Sequence, residues 1–129
     1  MQPAELDVMA PVLARAGVRL ALVFGSRGRG RATARSDLDL AIDGEDVDAC
    51  ALASDLSLAL GCEVDIVALR EATLPLLEEV LRDGKRVFEG VAGEEARWRA
   101  RTIAALEIDR PWFARMRDAY VKRVAARGL

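Results

Sequence analysis

Apolar and polar positions divide this chain into a succession of short elements. Residues 5–16 have helical composition; Pro11 is expected to kink or restart that helix and Gly17 to end it. Residues 18–24, VRLALVF, form a β-rich and almost unbroken apolar run closed by Gly25, which predicts a buried strand. Residues 37–42 predict a second, shorter strand. An acidic segment over 43–48 then precedes Val47, Cys50, Ala51, Leu52, Leu56, Leu58 and Leu60, and Gly61 closes the run. That is the pattern of a helix with acid in its first turn, where the dipole favours it.

Residues 63–69 predict a third strand and residues 73–82 another helix, stopped at Asp83-Gly84. Residues 85–88 suit a short strand returning to a sheet edge. From Glu94 onward Trp98, Thr102, Ala105, Trp112, Met116, Ala119 and Tyr120 recur at helical spacing, with Pro111 predicting a kink or two helices meeting near Asp109. The order α-β-β-α-β-α-β-α describes an α/β (α+β) chain. It predicts a small mixed β-sheet flanked by helices, not a doubly wound parallel sheet.

Composition narrows the picture. With 129 residues the chain is long enough for one domain, read here as a core over 1–90 and a C-terminal helical extension of the same domain over 91–129. About half the residues are apolar (52%), yet no apolar run approaches the roughly 20 residues needed to cross a bilayer. The opening MQPAELDVMA is acidic and broken by prolines, unlike a signal peptide. Cys50 and Cys62 lack zinc-site spacing and read as two buried thiols of a cytoplasmic protein. Histidine is absent, which excludes Ser-His-Asp and Cys-His catalysis and His-ligated metals.

The net charge of −2 conceals an asymmetry, −6 over residues 1–90 and +4 over 91–129. The basic tail alternates with apolar residues as an amphipathic helix does, so direct nucleic-acid binding is not expected of it. Its four aromatics, Trp98, Trp112, Phe113 and Tyr120, suit either the domain's own core or an interface.

The candidate chemistry lies in carboxylates and arginines. On a strand, Asp37 and Asp39 project from one face while Leu38 and Leu40 enter the other. Two such carboxylates repel unless a cation lies between them, and oxygen ligands suit Mg²⁺. The spacing alone is weak, because a second Asp-x-Asp, Asp46 and Asp48, falls at a helix start where capping explains it. The first pair has more telling company. Gly25 and Ser26 close the preceding strand, where backbone N–H groups and a hydroxyl suit phosphate. Arg27, Arg29, Arg31 and Arg35 follow in a loop, although a solvated loop beside a salt-bridged strand would also hold them. Asp65 lies between apolar neighbours on the third strand, where an ionised carboxylate is costly unless compensated or able to reach water at a strand edge. Glu63 shares its face as a fallback. No dinucleotide fingerprint or P-loop occurs.

Gly25-Ser26, ten intervening residues, Asp37-Leu38-Asp39, and Asp65 on a later strand resemble the polymerase β-like nucleotidyltransferases. The segment GSRGRGRATARSDLDLAI is most similar to their minimal single-domain branch (MNT), the antitoxin partners of HEPN ribonuclease toxins. LRDGKRVFEG is similar to that branch's sheet-edge segment.

The resemblance covers roughly residues 15–90 and implies the polymerase β-like nucleotidyltransferase fold. It also implies transfer of AMP from ATP to a tyrosine of the toxin in a hetero-oligomer, with two Mg²⁺ ions held by Asp37, Asp39 and Asp65. Gly25 and Ser26 would bind the β- and γ-phosphates, with Arg29 and Arg27 neutralising charge. The toxin's own Arg-and-His motif cannot occur in a chain without histidine. Two alternatives accompany this reading. One is an antitoxin that masks its toxin by binding alone, as relatives lacking an acid do. The other is an antibiotic-modifying, aminoglycoside-type enzyme, for which the tail is short.

Overall fold

In a computed structural model, the chain is described over residues 1–25 and 37–126. From residue 108 onward the helix is described, with side chains at Arg115, Asp118, Ala119, Lys122 and Arg123. The expectations for Ser26, Arg27, Arg29, Arg31 and Arg35, and for the side chains of Trp112, Phe113 and Tyr120, lie outside the described residues. The elements are α1 (Pro3–Arg15), β1 (Leu20–Phe24), β2 (Leu38–Asp43), α2 (Ala49–Leu60), β3 (Val64–Ala68), a 3-10 turn at Leu69–Glu71, α3 (Leu74–Asp83), β4 (Lys85–Glu89) and α4 (Glu94–Ala126). Their order is the one the apolar pattern predicts.

Local chemistry explains the helix ends. At the start of α1 the Gln2 backbone N–H donates to Glu5 Oε1 at 3.2 Å, and Pro3 occupies a position where no N–H is needed. The helix continues through Pro11 rather than restarting there. Met9 and Leu13, both 0% exposed, anchor it on either side, and burial of two such side chains is comparable to the ~3 kcal/mol a helical proline costs. Asp48 caps α2 by accepting from the Ala51 N–H at 3.1 Å, and Gly61 closes it in the left-handed region at φ 69°. Asp46 sits in the turn just before, at φ 54°. The second Asp-x-Asp is therefore a turn and a cap.

The strands form one mixed sheet in the order β3-β2-β1-β4. β1 runs antiparallel to β2 and to β4, while β2 and β3 are parallel. A parallel pair cannot be closed by a hairpin, and α2 supplies the crossover. Side-chain alternation then divides the sheet. Ala21 and Val23 of β1, Leu38, Leu40 and Ile42 of β2, and Val64 of β3 meet Met9, Leu13, Leu52 and Leu56 in the main core. Leu20, Leu22 and Phe24 point to the opposite face and are also buried. To connect one edge strand with the other, α3 crosses the sheet on this second face, packing on β1 and burying Val80 completely.

Three details depart from the sequence reading. The third strand ends at Ala68, and the 3-10 turn lets Arg70 reach back, its Nε donating to Oδ1 of the buried Asp43 at 2.9 Å. Cys50 is exposed and Cys62 half-buried, so these free thiols are not a buried pair. Cys50 lies on the outer side of α2, away from Leu52 and Leu56, and Leu58 is 85% exposed there. Finally, α4 is one helix of 33 residues, so of the kink or the two helices expected near Asp109 the second does not occur. Pro111 removes a single backbone bond, and Ala and Arg residues on both sides, with Leu106 and Glu107 before it, favour the helix.

The chain falls into two units, Met1–Ala96, which holds the whole sheet, and Arg97–Leu129. The start of α4 is fixed within the first of them. Glu89 accepts from the Glu95 N–H at 2.9 Å, and Arg86 pairs with Glu89 at 3.0 Å and with Glu95 at 3.5 Å. No helix among the described residues is long and apolar enough to cross a membrane.

Leu40, central in β2 and fully buried, tests the packing. Leu40→Ala should destabilise the protein by about 2–5 kcal/mol in urea unfolding, whereas Leu58→Ala should stay within about 0.5 kcal/mol. Equal effects would contradict the assigned strand register.

Candidate active site

Register decides which acids meet. In the parallel pairing of β2 with β3, Asp39 is the partner of Asp65. Paired positions share a face, and neighbouring strands run roughly 4.8 Å apart. Both aspartates therefore stand side by side on the face that α3 crosses, opposite the main core. Leu38 and Leu40, at 0% exposure, account for this: burying them forces the intervening Asp39 outward. Asp37, one residue before β2, is exposed.

Gly25 ends β1 beside this pair. Its backbone is left-handed, at φ 68°, and a Cβ on it would run into the Asp39 carboxylate. The residue thus supplies a turn that other side chains rarely adopt and leaves room for Asp39 to lie against the backbone. Ser26, Arg27 and Arg29 follow directly in sequence, outside the described residues.

The acids form an electrostatic group. The Asp39 carboxyl is raised above its usual range, first by burial and then by the charges of Asp65, Glu79 and Asp37. Asp65 itself is exposed on the edge strand β3. Of the two readings of Asp65, the edge acid that reaches water is the one found, and the effect of burial falls on Asp39 instead. Glu63 is exposed ahead of β3 and is not among the charges acting on Asp39.

Glu79 is the residue the sequence reading missed. It lies on α3 beside the buried Val80, and no local motif marks it. Its relevance depends on α3 crossing the acidic face of the sheet. Among the described residues, no three His, Cys, Asp or Glu side chains are gathered closely enough to hold an ion. The donor set, all carboxylate oxygen with a glycine-lined approach, fits a hard divalent cation.

Known proteins share this fold. The family model described as polymerase beta, nucleotidyltransferase matches residues 9–90. The chain is 33% identical over 91 residues to the protein adenylyltransferase MntA of Shewanella oneidensis, a match covering 67% of this chain and 65% of MntA. It thus spans just under two thirds of that curated relative's length. Among solved structures, a chain of a toxin–antitoxin complex with AMP-PNP superposes with a TM-score of 0.72 at 25% identity, over 89% of this chain and 98% of that one. The fold is shared as well with a chain of the Shewanella oneidensis complex of tri-AMPylated HEPN toxin and MNT antitoxin, at a TM-score of 0.69 and 24% identity, covering 93% of this chain and 99% of that one.

Two measurements probe the geometry. A carboxyl raised on folding keeps its proton to higher pH in the native than in the unfolded chain, so native stability falls as pH rises through the raised range. Metal-free Asp39→Asn should therefore have a higher Tm than the parent at pH 7, and a flatter decline from about pH 4 upward. An unchanged profile would show that Asp39 carries no such burden. Gly25→Ala, strained by its φ and colliding with Asp39, should lose more than about 1 kcal/mol of stability in denaturant unfolding.

Proposed function

The chain belongs to the polymerase β nucleotidyltransferase family, and from that premise we propose that it is a protein adenylyltransferase acting as an antitoxin. It transfers AMP from ATP to a tyrosine of a HEPN ribonuclease toxin, silences that toxin, and forms a hetero-oligomer with it in the cytoplasm, where ATP is supplied. The observation that carries this reading is the register pairing of Asp39 with Asp65 beside Gly25, inside the stretch that matches the family. Similarity to MntA and to the complex with AMP-PNP supports the protein acceptor and the nucleotide.

Each residue has a role in the chemistry. Asp37, Asp39 and Asp65 would hold two Mg²⁺ ions, which when bound neutralise the triphosphate and activate the attacking hydroxyl. Gly25 presents backbone at the turn where Ser26 would bind the β- and γ-phosphates, and Arg27 and Arg29 would balance their charge. The acceptor oxygen attacks the α-phosphorus, the bond to the bridging oxygen breaks, and pyrophosphate leaves. The hydroxyl proton passes to Asp65, which is exposed and returns it to solvent. Asp39 orients the site and carries the burial that sharpens its field.

Co-expression with a partner toxin, followed by intact mass measurement, should show AMP added to the partner. Asp37→Ala or Asp39→Ala should lower the transfer by at least about 100-fold, the upper end of what loss of an outer metal partner costs. Growth rescue by these variants with no adduct on the partner would favour neutralisation by binding alone. Arg29→Ala should weaken ATP binding with little effect on stability, as titration calorimetry can resolve.

A further inference from the structure

The two edges of the sheet are built differently. β4, one edge, opens with the exposed Lys85 and Arg86, and its pairing with β1 shifts register between Ala21 and Leu22. Lysine and such irregularities are common ways of keeping another strand off an exposed edge. β3, the other edge, has neither. It reads VDIVA, without lysine or proline, and its ladder with β2 runs unbroken from Leu38 and Val64 to Ile42 and Ala68. The Leu38 N–H donates to the Glu63 carbonyl at 2.9 Å, so alternation turns the backbone groups of Asp65 and Val67 toward β2 and those of Val64, Ile66 and Ala68 outward. The Val64 N–H donates to Ser57 Oγ at 3.2 Å. Among the described residues, the outward groups of Ile66 and Ala68 have no hydrogen-bond partner. We infer that this edge is the docking strand for the acceptor protein, which lays an extended, basic segment along β3 and so brings its tyrosine to Asp65. The inference rests on the adenylyl transfer proposed above and deepens it by stating how the acceptor is held.

Position and charge select this occupant. Asp65, the proposed proton acceptor, belongs to the edge strand itself and is exposed. A segment paired with β3 would run roughly 4.8 Å away, and its residue opposite Asp65 would present its side chain on the same face. Glu63, Asp65 and Glu71 are exposed along this edge, while Arg70 is engaged by Asp43 at 2.9 Å. An acidic edge favours basic residues on the added strand. It disfavours a second copy of β3, which would set Glu63 and Asp65 against acids of the same kind. In such an addition the main-chain bonds supply affinity and the alternate side chains supply selection.

Ala68→Pro is the discriminating change. Ala68 has φ −78°, within proline's range, and its N–H points away from β2, so the ring removes an outward donor and leaves the ladder intact. The free variant should keep the parent's Tm within about 2 °C. In transfer assays with the full chain, Mg²⁺, ATP and purified partner toxin, KM for the partner should rise about 10-fold or more, while KM for ATP stays within about 2-fold. Ala68→Ser, which keeps the N–H, should behave as the parent. Independently, amide exchange of the parent followed by NMR should be faster at Ile66 and Ala68 than at Asp65 and Val67 in the free chain. Addition of the partner without ATP should slow those two outward amides about 10-fold or more. An unchanged partner KM in Ala68→Pro, an equal rise in Ala68→Ser, or failure of either exchange result would overturn the inference. So would a dimer of the parent chain that Ala68→Pro dissociates, which would assign the edge to a second copy. If the parent transfers AMP and these results fail, only the docking strand is lost; if it transfers none, the proposed function and this inference fall together.

Discussion

The parallel pairing of β2 with β3 is the constraint on which the rest of this molecule depends. It is one ladder of backbone hydrogen bonds, yet it determines that Asp39 and Asp65, 26 positions apart in sequence, become neighbours. Because side chains alternate with a period of two, a slip by one residue would send Asp65 into the core and bring an apolar residue to the acidic face. The register is protected by what lies underneath. Leu38, Leu40 and Val64 are buried on the far side against α1 and α2, so any slip would also expose them. Stability and chemistry share one ladder but use opposite faces of it.

That division concentrates the unfavourable electrostatics at one place. Asp39 is partly buried, crowded by the Gly25 backbone and surrounded by the charges of Asp65, Glu79 and Asp37. Natural cores seldom gather acids in this way without a compensating cation or hydrogen-bond donors, and sites that perturb a carboxyl by both burial and like charge are candidates for function. By contrast, the structural acids elsewhere are satisfied locally. Asp48 caps a helix, Asp43 pairs with Arg70, and Glu89 with Arg86 secures the start of α4. The like charges that act on Asp39 thus lie at the face that the nucleotidyltransferase reading assigns to phosphate chemistry.

Membership of the polymerase β nucleotidyltransferase family and the lack of histidine constrain the mechanism from two directions. The first favours displacement at phosphorus; the second leaves this chain no imidazole, so in the proposed reaction proton transfer would fall to a carboxylate. Asp65, exposed like Asp37, has access to solvent, a suitable property for the proton-releasing role proposed for it. Asp39, the partly buried member, suits the orienting and charge-focusing part proposed for it. In the proposed reaction, two acids in matched register would thus take different tasks, because one lies on an edge strand and the other on an inner one.

By itself the sequence determined the order of elements, the core strands and the acids of the principal motif, since these follow from local periodicity and residue type. Alternation alone put Leu38 and Leu40 inward and Asp39 outward, and Asp48 was legible as a cap because helix-start chemistry is local. Tertiary structure decided what depends on neighbours distant in the chain. It made β3 an edge, which exposes Asp65 and moves the desolvation to Asp39, and it exposed Cys50 and Leu58 by turning one side of α2 outward. It carried α4 through Pro111, where one lost backbone bond is small beside the helix around it. It also brought Glu79 across the sheet to the acids, a placement invisible in sequence because proximity there arises from a crossover between two edges, and periodicity reports only which way a side chain points along its own element.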